Sequence, residues 1–349
     1  METKQPAMNT TKQAMDMKRL GDGPMVSRFG FGTMSLLSSQ GPSDAARLLH
    51  QGLDSGINLV DTADIYDNGA VEEALGAALI GRRDSVVLAT KGGLPMHGDP
   101  QRSGGSRRWI VQAVEDSLRR LKTDYIDLYQ LHRPDPATPI EETVAAFDAL
   151  IRSGKIRHAG SSVFPPELIV QARWAAETLG AAPFICEQSP YSILTRGIER
   201  SVLPVCRQYG MGVLVWSPLN GGWLTGKYRR GVAAPQGSRA ASGNPFVRAD
   251  DERKLGATEA LSAIASEAGL SLMQMSLAWT LEHPGVTSVL LGPRTGEQLG
   301  ELLSAEGVVL GDDVLDAIDS IVPPGDNVDP RNAGWVSPSL AKEHRRTPR

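Results

Sequence analysis

The chain has 349 residues, 41% hydrophobic and 22% charged, with a formal net charge of -4 and a pI near 5.9. That length holds two average domains or one single-core barrel, a fold that typically runs to about 250 residues and beyond. The mildly acidic balance argues against a nucleic-acid or anionic-membrane surface, which needs clustered Lys and Arg, and leaves a small molecule as the expected partner.

In chain order, residues 1–16 are polar with no continuous apolar core, so they are expected to form a disordered tail rather than a secretory signal. Met17 to Ser27 predicts a hairpin turning at Gly21-Asp22-Gly23, placed to plug the bottom of a barrel. Eight apolar runs of strand length then follow at 29–33, 57–60, 85–90, 125–131, 155–160, 184–188, 212–217 and 287–292. Between them lie stretches with helical starts and stops. Ser43 precedes one that ends at Gly56, Ser106 caps a second, and Pro139 enters a third that closes at Gly154. Further helical segments cover 166–179, 251–268 and 271–283. Repeated strand–helix units with short connections imply right-handed crossovers and a parallel sheet. Eight of them close a (β/α)8 barrel, expected here as one domain over 17–322, with 323–349 as a partly pocket-lining C-terminal segment.

Two long segments rich in Gly, Pro and Ser, 92–108 and 220–250, follow strands and therefore belong to the catalytic face. Cys186 and Cys206, the 2 cysteines, lack CxxC spacing; they imply neither a zinc cluster nor a disulfide framework, and a cytoplasmic location is expected.

Polar residues mark the strand ends. Asp61 follows the second run, Lys91 the third and His132 the fourth, with Tyr66 five residues into the loop after the second. Singly, each is as well explained as a rim or packing residue; a barrel, however, gathers successive strand ends around one mouth. A tyrosine ordinarily titrates near ~10, too high for efficient proton donation at neutral pH, and an adjacent ammonium stabilises its phenolate. Lys91 suits that task, Asp61 favours the charged lysine, and His132 can orient a carbonyl. Asp64 and Asp67 read as loop-capping or solvated acids without a chemical role.

These residues carry a resemblance. "GFGTM" at 30–34, "DTADIYDNGAVEEALG" at 61–76, "ATKGG" at 89–93, "DYIDLYQLHRPDP" at 124–136, "GKIRHAGSS" at 154–162, "WSPLNGGWLTGKY" at 216–228 and "GPRTGEQL" at 292–299 resemble, in order, the blocks of the aldo-keto reductases. The resemblance implies NADPH-dependent reduction of aldehydes or ketones by the tetrad Asp61, Tyr66, Lys91 and His132. It also implies a cofactor site. Gly32, Thr33 and Met34 would follow the first barrel strand, Ser162 and Gln188 would face the carboxamide, and Trp216 would stack on the nicotinamide. Ser217, Pro218, Leu219, Gly221 and Lys227 would meet the pyrophosphate beneath Arg239, with Gly292, Arg294, Gln298 and Glu301 at the adenosine end. A guanidinium pairs bidentately with a phosphate, so Arg294 favours NADPH over NADH. The chain departs from the family pattern at Val163, where an asparagine amide would contact the cofactor, at Leu302 near the adenine, and at Asp67, where glycine is usual.

Three other readings compete. Gly30-Phe31-Gly32 followed by Asp61 imitates a dinucleotide fingerprint, but Ser35 takes the third glycine's place and Ser43 lies too far on to start the phosphate-binding helix. A metal-dependent hydrolase is disfavoured by Lys91 between the supposed ligands, so no metal is expected. The alternative of another class is an NADPH-binding, redox-sensing regulatory subunit, which resembles this chain around "RPDPATPIEET" but typically lacks the histidine. Met34, Met96, Trp223, Phe246 and Trp335 are expected to line a pocket for a small aldehyde or aromatic carbonyl. Arg102, Arg107 and Arg108 keep open an anionic substrate such as a sugar phosphate or a nucleotide-linked keto sugar. Monomer and homo-oligomer both stay open.

Overall fold

The computed structural model describes residues 15–37, 41–243 and 247–345. The expected tail up to residue 14 and Phe246 lie outside the described residues. Met15, by contrast, is buried in the outer core, and the Asp16 carbonyl accepts a hydrogen bond from the Arg28 N–H.

Strands β1 (Met17–Arg19) and β2 (Met25–Ser27) pair antiparallel as the hairpin. Gly21 turns at φ 56°, where a Cβ would stand 2.4 Å from the Ile185 carbonyl oxygen, so the close approach to the barrel wall requires glycine. Leu20 and Val26, both fully buried, join Leu59, Ala89, Leu128, Ile185, Cys186, Leu214 and Leu290 in the barrel interior. The hairpin thereby closes the bottom.

Eight parallel strands follow: β3 (Phe29–Gly32), β4 (Leu59–Asp61), β5 (Val87–Gly92), β6 (Ile126–Leu131), β7 (Ile156–Ser162), β8 (Cys186–Pro190), β9 (Gly212–Trp216) and β10 (Ser288–Leu291). They form a closed barrel, with β10 pairing to both β9 and β3. Both faces of each strand are covered, by interior side chains and by helices, which is why the runs read as nearly continuous apolar stretches.

Among the described residues, the α-helices of seven residues or more are α1 (Pro42–Asp54), α2 (Ala70–Ala78), α3 (Arg107–Leu121), α4 (Ile140–Arg152), α5 (Pro166–Leu179), α6 (Val202–Gln208), α7 (Glu252–Glu267), α8 (Leu272–Glu282), α9 (Gly296–Leu303) and α10 (Asp312–Ile321). Ser106 caps α3 as expected, accepting from the Trp109 N–H at 3.4 Å. Ser43 does not cap α1: the helix begins one residue earlier, at Pro42, whose fixed φ suits the first helical position, so the N-cap is Gly41. Two strands run farther than their apolar stretches. Asp61 is the last residue of β4, and Lys91 lies within β5.

Candidate active site

Strand register brings the sequence-distant polar groups together. Asp61 pairs with Ala89 across β4 and β5, which sets Lys91 two residues farther along at the mouth. The Lys91 Nζ donates to Asp61 Oδ1 at 2.6 Å and to the Thr62 carbonyl at 2.7 Å, and both side chains are almost wholly buried. Burial alone would lower the lysine, but Asp61 and Tyr66 outweigh it and hold its pKa above the ordinary value.

Tyr66 begins a short turn, Tyr66–Gly69, whose residues Asp67, Asn68 and Gly69 take φ of 46°, 51° and 96°. Asp and Asn tolerate that left-handed region better than other side chains. The Tyr66 ring centre lies 5.3 Å from Lys91 Nζ and packs edge-on against His132, centroids 6.1 Å apart at 82°. Burial is the largest influence on Tyr66 and raises its pKa; Lys91 opposes this without cancelling it, so the phenol stays protonated. His132 follows β6 directly, with its N–H donating to the Gly92 carbonyl at 2.9 Å. Burial, then Lys91 and Arg133, push its pKa well down, which keeps the imidazole neutral, and its buried Nδ1 has no hydrogen-bond partner among the described residues.

Two glutamines join this group: Gln188, expected toward a carboxamide, and Gln130, which the sequence reading did not name. Gln188 Nε2 donates to Asp61 Oδ2 at 2.8 Å, and Gln130 sits within 3.3 Å of the Gln188 amide. Two-residue alternation back from His132 along β6 would have placed Gln130 inside the barrel. Gln188 is thus turned to the Asp61 carboxylate rather than standing free for a carboxamide, while Ser162 Oγ donates to the Gln188 carbonyl at 3.0 Å. Asp64 is a correction of another kind. Expected as a solvated or capping acid, it is 1% exposed, and neither carboxyl oxygen has a hydrogen-bond partner among the described residues. Burial, reinforced by Glu72, raises its pKa to about 8.

The remaining candidates fall into two groups. Around the mouth, Gly32 ends β3, Thr33 Oγ1 donates to the Asp61 carbonyl at 2.9 Å, Met34 is 53% exposed, and Trp216 ends β9. Beyond Trp216 the chain takes positive φ at Ser217, Asn220, Gly221 and Gly222, flanking buried Pro218 and half-buried Leu219. A Cβ on Gly222 would fall 2.5 Å from Lys227 Nζ, so glycine is what lets the lysine lie along this loop. Lys227, Arg239 and Arg294 form one cationic group: burial, then Arg294 and Arg239, lower Lys227, and burial with Arg294 lowers Arg239. Arg294 Nη1 donates to the Gly237 carbonyl at 2.9 Å, and its own N–H donates to Gln298 Oε1 at 2.9 Å. Gly292 and Glu301 are exposed nearby on the segment that carries α9.

Of the expected pocket residues, Trp223 is fully buried against Tyr228 and Lys254, and Met96 packs in a small cluster with Trp109 and Ala113, so neither lines an open pocket. Arg102 lies over Trp109, while Arg107 and Arg108 are exposed at the start of α3. Half-buried Trp335 follows Gly334, a residue whose Cβ would lie 3.2 Å from Trp216 Cζ2, so the C-terminal segment does reach the mouth. No group of His, Cys, Asp and Glu suited to a metal, and no helix long and apolar enough to cross a membrane, occurs among the described residues.

Comparison with known proteins agrees with this arrangement. The model of the "Aldo/keto reductase family" matches residues 28–323. A rice (Oryza sativa subsp. japonica) protein named a probable voltage-gated potassium channel subunit beta is 37% identical over 325 residues, covering 88% of this chain and 97% of its own length. An uncharacterized oxidoreductase of Bacillus subtilis, YrpG, is 37% identical over 325 residues, covering 90% of this chain and 97% of its own. A second probable channel subunit beta, from Arabidopsis thaliana, is 37% identical over 321 residues, covering 88% of this chain and 97% of its own. The chain belongs to the aldo/keto reductase family.

Proposed function

We propose that this oxidoreductase reduces an aldehyde or ketone to the alcohol with NADPH, Tyr66 supplying the proton. The observation that carries the reading is the protonated phenol of Tyr66 set between a buried ammonium and a neutral imidazole.

The cofactor fit rests on the chain's own residues. Lys227, Arg239 and Arg294 concentrate positive charge beside a loop of left-handed backbone, a donor set suited to phosphate oxygens. Lys227 and Arg239 have no carboxylate within ion-pair distance among the described residues. Trp216 at the end of β9 offers an aromatic face to a nicotinamide, and Arg294 is the candidate for the 2′-phosphate. When bound, NADPH would supply the hydride.

Each remaining part has a protein owner. His132, neutral, donates one N–H toward the carbonyl oxygen and orients it beside the phenol. As negative charge develops on that oxygen, the Tyr66 hydroxyl proton moves to it. The phenolate left behind is stabilised by the Lys91 ammonium, which is itself held by Asp61 and the Thr62 carbonyl. Gln188 keeps the Asp61 carboxylate turned to the lysine.

A second reading, a nucleotide-sensing regulatory subunit, draws support from the names of the rice and Arabidopsis relatives. Retention of His132 against Tyr66 favours the enzyme. The test is NADPH oxidation followed at 340 nm against nitrobenzaldehydes, methylglyoxal, pyridoxal and keto sugars. Turnover that falls by roughly 10²-fold or more in Tyr66→Phe supports the reductase. NADPH binding with no turnover on the whole panel leaves the sensor.

A further inference from the structure

Arg133 is a site residue that the tetrad does not explain. It directly follows His132, whose backbone is pinned to Gly92. From there the side chain folds over the mouth, placing its Cζ 6.0 Å from the ring centre of Trp216. It thus spans the space between the ends of β6 and β9, and its charge is felt by both Tyr66 and His132.

Its hydrogen bonding is incomplete. Nη1 donates to the His132 carbonyl at 2.6 Å, and no further acceptor or carboxylate holds the guanidinium among the described residues. Apart from Arg239 in the cationic group, several half-buried arginines of the barrel are paired. Arg83 pairs with Asp127 at 2.8 Å, Arg120 with Glu72 at 2.7 Å, and Arg28 donates to the Val286 carbonyl at 2.8 Å and the Thr287 carbonyl at 3.3 Å. Arg196 gives the sharpest contrast: it too lies over a tryptophan, Trp279, at 4.9 Å, yet pairs with Glu199 at 2.9 Å. Glu187, a carboxylate whose charge acts on Arg133, is fully buried and already accepts from Ser161, Ser189 and the Phe164 N–H.

Beside Trp216 at the end of β9, Arg133 therefore keeps Nε and Nη2 without a protein acceptor among the described residues, and a guanidinium fork matches a carboxylate. We infer that Arg133 anchors a carboxylate of the substrate, so that the preferred substrates are short oxo acids whose carbonyl lies toward Tyr66 and His132. A lone guanidinium suits a monoanion, whereas the three clustered cations Lys227, Arg239 and Arg294 suit the phosphates of a dinucleotide. The carboxylate is a spectator: hydride still adds to the carbonyl carbon and the Tyr66 proton to its oxygen. The inference rests on the reductase reading for its chemistry, but not for the binding itself.

Two measurements separate the two. The first compares kcat/KM for 4-oxobutanoate and its methyl ester in wild type, Arg133→Met and Arg133→Lys. The acid should lead by about tenfold or more in wild type; the lead should vanish in Arg133→Met and partly return in Arg133→Lys, because a buried donor left unpaired penalises the uncharged ligand. A wild-type ratio near one, or equal losses on acid and ester in Arg133→Met, would overturn the inference. So would a larger Arg133-dependent preference for glyceraldehyde 3-phosphate over glyceraldehyde, which would make the anion a phosphate. The second titrates tryptophan fluorescence with glutarate and dimethyl glutarate in the presence of NADP+. Glutarate binding that Arg133→Met abolishes, in a protein that reduces nothing, keeps the carboxylate site and removes the reductase. Neutral aldehydes reduced with no glutarate binding does the reverse.

Discussion

Lys91 and Asp61 meet at 2.6 Å, on neighbouring strands and out of reach of water, with the Gln188 amide on the far oxygen of the same carboxylate. Removing one partner of such a pair strands the other's charge. Lys91→Met should therefore cost about 3–5 kcal/mol of stability, besides losing nearly all turnover. Asp61→Asn should also be severe. Urea unfolding followed by circular dichroism measures the first effect; an unfolding midpoint equal to wild type would show that the ion pair is not held as described.

On the proposed reading, Arg294 is the residue that would separate the two nicotinamide cofactors. Its guanidinium is the candidate partner of the 2′-phosphate, the only group distinguishing NADPH from NADH. Arg294→Ala should raise KM for NADPH by about 10- to 100-fold, as expected for a lost charge-assisted pair, and change KM for NADH little. Equal effects on both would refute the assignment.

Asp64 makes stability depend on pH in a stated direction. Its folded pKa of about 8 lies above the ordinary carboxylate value, so between those limits the folded state carries a proton that the unfolded state has lost. Stability from this group is present in full below the unfolded pKa and declines as pH rises toward 8. Asp64→Asn removes the titration and keeps the shape. Its melting temperature should match wild type near pH 4 and exceed it near pH 8.5; parallel Tm profiles for the two proteins would contradict the buried acid.

Val163 holds a β-branched side chain at φ 59°, a region where such residues are genuine outliers. Asparagine tolerates that backbone and restores an amide facing the site expected for the cofactor's carboxamide. Val163→Asn should gain about 1 kcal/mol of stability and lower the Kd for NADPH. Calorimetry reads both, and unchanged values would mean that the strain is absorbed by the Val163 N–H bond to the Gln188 carbonyl at 3.0 Å.

Much of this arrangement is legible in the chain. Apolar runs at strand length separated by capped helical stretches dictate a parallel barrel, because each strand must bury both faces and each crossover must turn right-handed. That topology alone makes neighbours of Asp61, Lys91 and His132, and the segment "GINLVDTADIYDNG" places Tyr66 beside them. What pattern could not decide is which polar side chains are dry. Asp64 and Asp67 look alike in sequence, yet Asp64 is sealed beside Glu72 while Asp67 is exposed in its turn. Likewise Gln188 turns inward to Asp61, Trp223 sinks into the core, and Arg133 stops over Trp216 with no carboxylate paired to it among the described residues. Periodicity reports which face of an element a residue occupies. Burial, ionisation and pairing depend on atoms brought in from other strands, and only the closed barrel puts those atoms in place.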